Sequence, residues 1–466
     1  MKNLLLTVLL IFFPFFPVFS QENQYVLESQ QREERPQSIP KDPGSEILSN
    51  LAARGKYLTV KIAVAGPGDE IYLWWGHIGI IVEDALSGRS LFYDWGNFSF
   101  DTENFYYDFS FGRLYYSCSV SPAENNIKRL KRENRDITLY TLDLSDEAKA
   151  ELLLFAENNV LPENRDYLYH HFIDNCATRV RDIIDTAVGG AFYDKYGNAP
   201  GSFTLRGHVR RHTWFSHFWD WALSFWMGQG IDKPLKVWDE MFLPSEIARR
   251  CNDFVYADNA GVIRKLVSKT EVLNRSEGRP VVAAAPPPNC RKELILGFAL
   301  AFVFGILRLR SAGILPETKR TSPVWFFKTA QGSRYVLGIL NAAAGFFFGI
   351  MGSLLVFLWF FTTHEYTYNN INLIYVNPLL LAVVPLAITA AFGKNPEKRL
   401  NAEHLSACLW TIVFLGGIVT IILRVFPAFY QQNQPALAFV LPQAFALSVL
   451  PSLFFRLYKR MNLPAA

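Results

Sequence analysis

Apolar and polar residues alternate along the first third of the chain, as they do in half-buried β-strands. The pattern predicts strands at residues 56–64, 71–82, 91–100, 113–120 and 137–144. A turn signal at Leu86-Ser87-Gly88 joins the second and third strands into a hairpin. This hairpin places His77 opposite residues 94–97, with the register open by a residue or two.

Helical periodicity replaces the alternation further along the chain. The pattern at residues 146–159 predicts a helix that opens at Ser145. A second, amphipathic pattern covers residues 176–187 and stops at Gly189-Gly190, with Asp174 or Asn175 as its N-cap. Cys176 therefore lies in the first helical turn, where the helix dipole and free N–H groups favour a thiolate. Strands followed by such helices indicate an α+β domain.

The segments on either side predict an exported protein with a membrane anchor. Residues 1–20 form a secretory signal, and residues 21–50 a flexible polar leader. We assign residues 51–200 to an exported catalytic domain and residues 201–282 to an aromatic-rich extension. Residues 207–227 of this extension hold four Trp, three Phe, three His and two Arg, a composition typical of a membrane interface, although an ordinary aromatic core helix remains open. Residues 283–292 are a linker, and residues 293–466 a transmembrane domain.

Five apolar runs predict five membrane-spanning helices. They cover residues 294–307, 335–361, 371–392, 405–426 and 436–455. With an exported N-terminal domain, the loops and tail on the inner side hold the basic residues Arg308, Arg310, Lys319, Arg320, Lys328, Arg334, Lys394, Lys398, Arg399, Arg456, Lys459 and Arg460. The outer connections 362–370 and 427–435 hold none, so we expect an inner-membrane protein with a cytoplasmic C-terminus.

Composition narrows the function. Half of the residues are hydrophobic, 19% are charged and the net charge is +4, so we expect no nucleic-acid partner. The chain lacks the serine-hydrolase, P-loop and dinucleotide-binding motifs. The histidines at positions 170, 171, 208, 212 and 217 do not have zinc-ligand spacing, so we expect no metal or other cofactor.

The five cysteines are an odd number for an exported chain. One disulfide among Cys118, Cys251 and Cys290 could form and leave Cys176 free. A structural Cys176 is the alternative to a reactive one.

His77 and Cys176 are the strongest candidate pair for catalysis. A histidine on a strand and a cysteine at a helix start form a base and a nucleophile, in which the histidine takes the thiol proton and later gives it to the leaving group. We expect Asp94 to orient His77, with Asn97 as the alternative. Arg179, one helical turn after Cys176, could bind a phosphate or carboxylate or simply be solvated.

Several motifs resemble known families. A strand-borne His77, a polar residue on the next strand and an Asn-Cys helix resemble the permuted papain-like fold of lecithin:retinol acyltransferases and NlpC-type peptidases. More closely, the chain resembles the Bacteroidota lipoprotein N-acyltransferase family (Lnb). The motifs of this resemblance are Trp75-Gly76-His77, Tyr93-Asp94-Trp95-Gly96, Asn164-Arg165-x-Tyr167-x-Tyr169, Asp174-Asn175-Cys176-x-Thr178-Arg179 and Phe242-Leu243-Pro244.

The resemblance implies a reaction and its partners. Cys176 would take an acyl chain from a membrane phospholipid as a thioester, and the α-amine of a diacylated lipoprotein's N-terminal cysteine would receive it. His77 would move the protons, and Asn175, Trp75 and Arg179 would contact substrate. A thiol hydrolase on the same pair, either a phospholipase or a cell-wall peptidase, is the alternative. A non-catalytic membrane protein would explain the spans but gives the pair no role.

Overall fold

The computed structural model describes residues 52–451, apart from residues 102, 280, 281, 283 and 316–328. The predicted signal peptide and leader lie outside the described residues. So do six of the basic positions used for the orientation, namely Lys319, Arg320, Lys328, Arg456, Lys459 and Arg460.

A seven-stranded antiparallel sheet forms the centre of the N-terminal domain. Its strands are β1 (Leu58–Ala65), β2 (His77–Asp84), β3 (Arg89–Asn97), β4 (Leu114–Pro122), β5 (Ile137–Leu142), β6 (Asp166–Tyr169) and β11 (Val267–Asn274), in the order β11-β5-β1-β2-β3-β4-β6. The predicted hairpin is confirmed, because Asp84 of β2 pairs with Arg89 of β3.

The strand boundaries differ from the prediction at one important position. Residues 71–82 do not form one strand, because Ile71–Leu73 is a short 3-10 turn and the strand starts at His77. Gly76 separates the two with a φ of +80°, which favours glycine. His77 is therefore the first residue of β2 rather than an interior one.

Helices cover both faces of the sheet. These helices are α1 (Phe105–Ser110), α2 (Ala123–Arg132), α3 (Asp146–Asn159), α4 (Cys176–Ala187) and α5 (Ala191–Tyr196). Residues of α3 and α4, such as Leu152 and Val180, share a buried cluster with Ile62 and Ile80 of the sheet. On the other face, Ala123 of α2 packs in a smaller cluster with Ile81 and Phe92. The predicted helices at 146–159 and 176–187 are confirmed.

The segment from residue 200 to 282 returns to the same core. It contains β7 (Pro200–Thr204), α6 (Leu205–Thr213), α7 (His217–Trp226), β8 (Pro234–Lys236), α8 (Val237–Glu240), α9 (Pro244–Asn252), β9 (Val255–Ala257) and β10 (Ile263–Lys265) before β11. Trp238, Ile247 and Phe254 lie in the main buried cluster of the domain, and β11 pairs with β5. The predicted division at residue 200 therefore does not correspond to a division of the core.

The membrane half is helical. Its helices are α10 (Arg291–Ser311), α11 (Ala330–Phe360), α12 (Val383–Phe392), α13 (Pro396–Leu423) and α14 (Gln434–Leu447). Four segments of the described chain are long and apolar enough to cross a membrane: α10, α11, α13 and residues 371–392, in which 3-10 turns precede α12. The helix α14 has 14 residues, and the predicted fifth span extends beyond the described residues. Five spans thus stay a prediction.

Buried amides join the N-terminal domain to the helical bundle. The side-chain Nδ2 atoms of Asn370 and Asn372 donate to the carbonyl of Phe225 in α7, at 2.8 and 3.0 Å. The Nε2 atom of Gln431 donates to the carbonyl of Met227 at 3.1 Å, and the Phe225 ring is buried in the core of the bundle. The connections on either side of residues 371–423 therefore contact the N-terminal domain at one end of the bundle.

Candidate active site

Cys176 begins α4, and Asn175 fixes this helix start. The Oδ1 atom of Asn175 accepts hydrogen bonds from the backbone N–H groups of Ala177 and Thr178, at 2.8 and 2.9 Å. The Thr178 hydroxyl accepts from the Asn175 backbone N–H at 2.8 Å, which completes a reciprocal capping box. The half-buried thiol is thereby held in the first turn of a rigid helix.

His77 reaches the same place from the start of β2. Its Nε2 atom lies 2.8 Å from Oδ1 of Asp94, which also accepts the Gly96 backbone N–H at 2.7 Å. This contact leaves Nδ1 as the ring nitrogen available to Cys176. Gly96 lies directly against the imidazole, because a Cβ there would approach Cε1 of His77 to 2.4 Å. Asn97, the alternative partner, is exposed beyond a bulge in β3, so Asp94 is the residue that the structure brings to His77.

Charge is concentrated on this pair. Burial alone would lower the pKa of His77, but the Asp94 carboxylate and Cys176 act against burial and raise this pKa from its ordinary 6.5 to about 10. The pKa of Asp94 is lowered, because the charge and hydrogen bond of His77 outweigh burial. An imidazolium between a carboxylate and a sulfur is the arrangement that activates a cysteine nucleophile.

Aromatic rings form a wall around Cys176. The rings of Tyr116 and Tyr169 stack with centroids 4.0 Å apart, and the charge of Cys176 contributes to raising the pKa of both phenols, after burial. Tyr366, from the connection between residues 360 and 371, stacks on His171 at 5.5 Å. Burial lowers the pKa of His171 to about 3, so this ring is neutral. The membrane half of the chain therefore contributes a side chain next to the catalytic segment.

The other predicted substrate residues have partners within the fold. Arg179 forms two hydrogen bonds with Asp174, at 2.7 and 3.0 Å, and its guanidinium lies 3.6 Å from the centre of the Tyr167 ring. Asn175 donates its Nδ2 hydrogens to the carbonyls of His171 and Phe242. Binding of substrate by Arg179 or Asn175 stays a prediction, but both side chains visibly hold the segment around Cys176 in place.

Trp75 lies beside a different space. It lines a cavity of about 420 Å³ together with Gly76, His212 and Arg275. Among the described residues lining this cavity, neither His77 nor Cys176 occurs. A contact between Trp75 and the substrate of Cys176 also stays a prediction.

Two parts of the chain match models of known protein families. Residues 51–206 match the family model described as the Lnb N-terminal periplasmic domain, and residues 326–462 match the Lnb transmembrane domain. This chain belongs to the Lnb family. No curated protein and no solved structure matched the chain. The permuted papain-like fold therefore stays a prediction.

The Lnb motifs correspond to contacts around the candidate site. The carbonyl of Phe242, in Phe242-Leu243-Pro244, accepts from Asn175 at 3.1 Å. The Tyr167 hydroxyl donates to the carbonyl of Trp95, next to Asp94. These distant motifs thus meet around the two ends of the His77–Cys176 pair.

Two further histidines of this Lnb chain, His170 and His208, have partners within the fold. His170 accepts the backbone N–H groups of Phe172 and Ile173 on Nδ1, and His208 lies buried 3.3 Å from Glu240. Within the described residues, no group of three or more His, Cys, Asp or Glu side chains is placed to hold a metal ion.

Sequence patterns did not assign three tyrosines to the site, although Tyr169 belongs to one of the Lnb motifs. Tyr116 and Tyr169 lie in alternating segments that are typical of any β-strand. Tyr366 lies 190 residues after Cys176, in a connection between membrane helices. The sequence signal that could have pointed to this region is the stretch 98–109, in which six of twelve residues are aromatic.

Proposed function

We propose that this chain is a lipoprotein N-acyltransferase that carries the acyl group on Cys176. The observation that supports this most directly is the hydrogen bond of His77 with Asp94, with Cys176 close enough to help raise the pKa of His77, beside a wall that includes Tyr366 of the membrane half. Within the Lnb family, such a pair next to a membrane bundle suits two lipid-bearing substrates.

In the first half-reaction, the Cys176 thiolate attacks an ester carbonyl of a phospholipid. A carbon–sulfur bond forms, and the ester carbon–oxygen bond breaks. The proton on Nδ1 of the His77 imidazolium passes to the departing alcohol, so a lysophospholipid leaves and an acyl thioester remains. Asp94 keeps the ring oriented and stabilises its positive charge.

In the second half-reaction, the free α-amine of the lipoprotein's N-terminal cysteine attacks the thioester. The carbon–nitrogen bond forms, the carbon–sulfur bond breaks, and neutral His77 accepts the proton that the amine loses. The thiolate and the imidazolium are regenerated.

The backbone supplies a donor for the oxyanion of both steps. The backbone N–H groups of Ala177 and Thr178 donate to Oδ1 of Asn175. The backbone N–H of Cys176, in contrast, has no hydrogen-bond partner within the described chain. This N–H at the helix start is the one that we assign to the developing negative charge.

The placement of the domain supports a periplasmic reaction. The connections that hold no lysine or arginine, around residues 362–370 and 427–433, contact the N-terminal domain. From the helix order, the basic residues Arg310, Lys394 and Lys398 lie towards the opposite end of the bundle. By the positive-inside rule, we place the catalytic domain in the periplasm, the bundle in the inner membrane and the C-terminus in the cytoplasm.

The purified full chain in vesicles, supplied with a diacylated lipopeptide, tests the proposal. Mass spectrometry should show lysophospholipid and triacylated lipopeptide in equal amounts, and an acyl adduct on Cys176 before lipopeptide is added. The Cys176→Ser variant should lose both products, and Cys290→Ser, a matched half-buried cysteine, should keep them. Free fatty acid formed at the same rate without lipopeptide would identify a phospholipase instead. Full activity of Cys176→Ser would disprove the thioester.

A further inference from the structure

An exposed aromatic surface lies on residues 98–109 and the adjoining Tyr72. We call it the aromatic lip and define it as Tyr72, Phe98, Phe100, Phe105, Tyr106 and Phe109. Tyr106 is 73% exposed, Phe100 48%, Phe109 47% and Tyr72 46%. Soluble surfaces rarely expose so many large apolar side chains together, so the cluster indicates a contact with another apolar phase.

The rings of the lip form one continuous surface. Tyr72 and Phe98 have centroids 5.5 Å apart, and Phe98 and Phe100 5.0 Å. Phe100 meets Phe105 at 5.0 Å, and Phe105 meets Phe109 at 6.0 Å. These distances are those of directly packed aromatic pairs.

One end of the lip reaches the wall around Cys176. Phe98 stacks on Tyr116 with centroids 4.9 Å apart, and Tyr116 stacks on Tyr169 at 4.0 Å. Both tyrosines lie within electrostatic range of Cys176. Ring surface therefore extends without a break from the exposed lip to Tyr169, at the end of the strand that leads to the Cys176 segment.

The other end of the lip rests on the membrane bundle. The Phe111 ring lies 5.5 Å from Phe357, near the end of α11. The backbone N–H of Thr363 donates to the carbonyl of Phe111 at 2.9 Å, and His364 Nε2 lies 3.0 Å from the carbonyl of Phe109. The lip thus lies at the level where a membrane span ends, which is where aromatic residues contact the headgroup region of a bilayer.

We propose that the aromatic lip is the entry site for the acyl chain of a membrane phospholipid. Its exposed rings lie in the outer part of the bilayer leaflet, and the chain passes over Phe98 and Tyr116 to present its ester at Cys176. This role rests on the proposed function only in naming Cys176 as the acyl acceptor, since lipid contact at the lip needs no catalysis.

Photocrosslinking tests the lipid contact independently of turnover. The full-length Cys176→Ala variant, which cannot cleave the ester, is placed in vesicles of a phospholipid with a diazirine on one acyl chain. After illumination, crosslinked peptides should include residues 98–111. A diazirine on the acyl chain of a diacylated lipopeptide serves as the second probe. Crosslinks confined to residues 291–447, or labelling of the lip by the lipopeptide alone, would overturn the proposal.

A kinetic comparison tests the path to Cys176. The variant Phe100→Ser/Tyr106→Ser/Phe109→Ser removes three exposed rings, and Tyr57→Ser removes the ring of Tyr57, which is 47% exposed on the lead-in to β1, as a matched control. Acylation of Cys176 is followed by intact mass, with vesicle phospholipid or with a short-chain water-soluble thioester as donor.

The triple variant should lose about tenfold or more of the rate with vesicle phospholipid and stay within about twofold of the parent with the soluble donor, because only the first donor leaves a bilayer. The control should be unchanged with both. Equal losses with both donors would show a structural role, and no loss would show that the lip is not on the path. If the parent chain accepts neither donor, the proposed function fails, and the crosslinks still decide the lip.

Discussion

The charge of Asp94 can be separated from its orienting role by a single substitution. In Asp94→Asn, the side-chain oxygen can still accept from Nε2 of His77 and from the Gly96 N–H, which now lie 2.8 and 2.7 Å from it. The carboxylate charge that favours the imidazolium is lost. We therefore expect the geometry to survive and the proton affinity of His77 to fall.

The magnitude follows from the electrostatics of the site. A pKa raised from 6.5 to about 10 corresponds to on the order of 5 kcal/mol in favour of the imidazolium. Asp94 is the largest source that raises it, ahead of Cys176, so losing its charge should remove on the order of 3 kcal/mol, or about two pH units. His77 must be protonated to release the alcohol, so activity is lost as pH rises through its pKa. The alkaline limb should therefore move from near pH 10 to near pH 8.

The assay is the pH profile of kcat/KM for acylation of Cys176 by a short-chain oxygen ester, whose departing alcohol needs the proton of His77. At pH 6.5, Asp94→Asn should stay within about tenfold of the parent, and Asp94→Ala, which loses orientation as well, should fall by about 10²-fold or more. Asn97→Ala, on the same strand but exposed, is the control and should leave the profile unchanged. An unmoved alkaline limb in Asp94→Asn would refute the charge assignment, and a loss in Asn97→Ala alone would reassign the partner of His77.

Two further predictions concern the frame of the site. Asn175→Ala should lower the free energy of unfolding by about 2–4 kcal/mol, because it removes a helix cap and leaves the carbonyls of His171 and Phe242 without their donors. Thermal unfolding in detergent measures this loss, and Asn175→Asp should lose less. An unchanged unfolding midpoint in Asn175→Ala would contradict the prediction. Cys118 and Cys251 are buried free thiols, so replacing either by Ala should leave the rate of acyl transfer within about threefold of the parent. Alkylation of the denatured, unreduced chain should modify all five cysteines. Modification of four or fewer cysteines would indicate a disulfide.

The sequence was sufficient for the parts of the site that depend on local chemistry. The cap at Asn175, the stop at Gly189-Gly190 and the hairpin that brings Asp94 to His77 follow from residues close together in the chain. Each is determined by hydrogen bonds and backbone conformations within a few positions, which is why periodicity and turn signals suffice to predict them.

Long-range pairing was beyond the sequence. The strand β11 pairs with β5, which lies about 130 residues earlier in the chain. The pattern of residues 267–274 does not indicate which strand it pairs with. The aromatic residues at 71–75 resemble the start of a strand, but the positive φ of Gly76 interrupts the extended backbone, so β2 begins only at His77. Tyr366 could not be assigned from the sequence, because only tertiary packing brings this residue of a membrane connection against His171.

The contact of the membrane connection with the catalytic segment has a consequence for how this chain can be divided. Tyr366 lies against His171, and Glu365 lies 3.9 Å from His170. A soluble fragment that ends before α10 would keep Cys176, His77 and Asp94 yet lose Tyr366, which packs on His171 five residues before the nucleophile. Such a fragment would be a poor surrogate for inhibitor screening, because compounds selected on it would be fitted to a surface that the membrane half covers in the full chain.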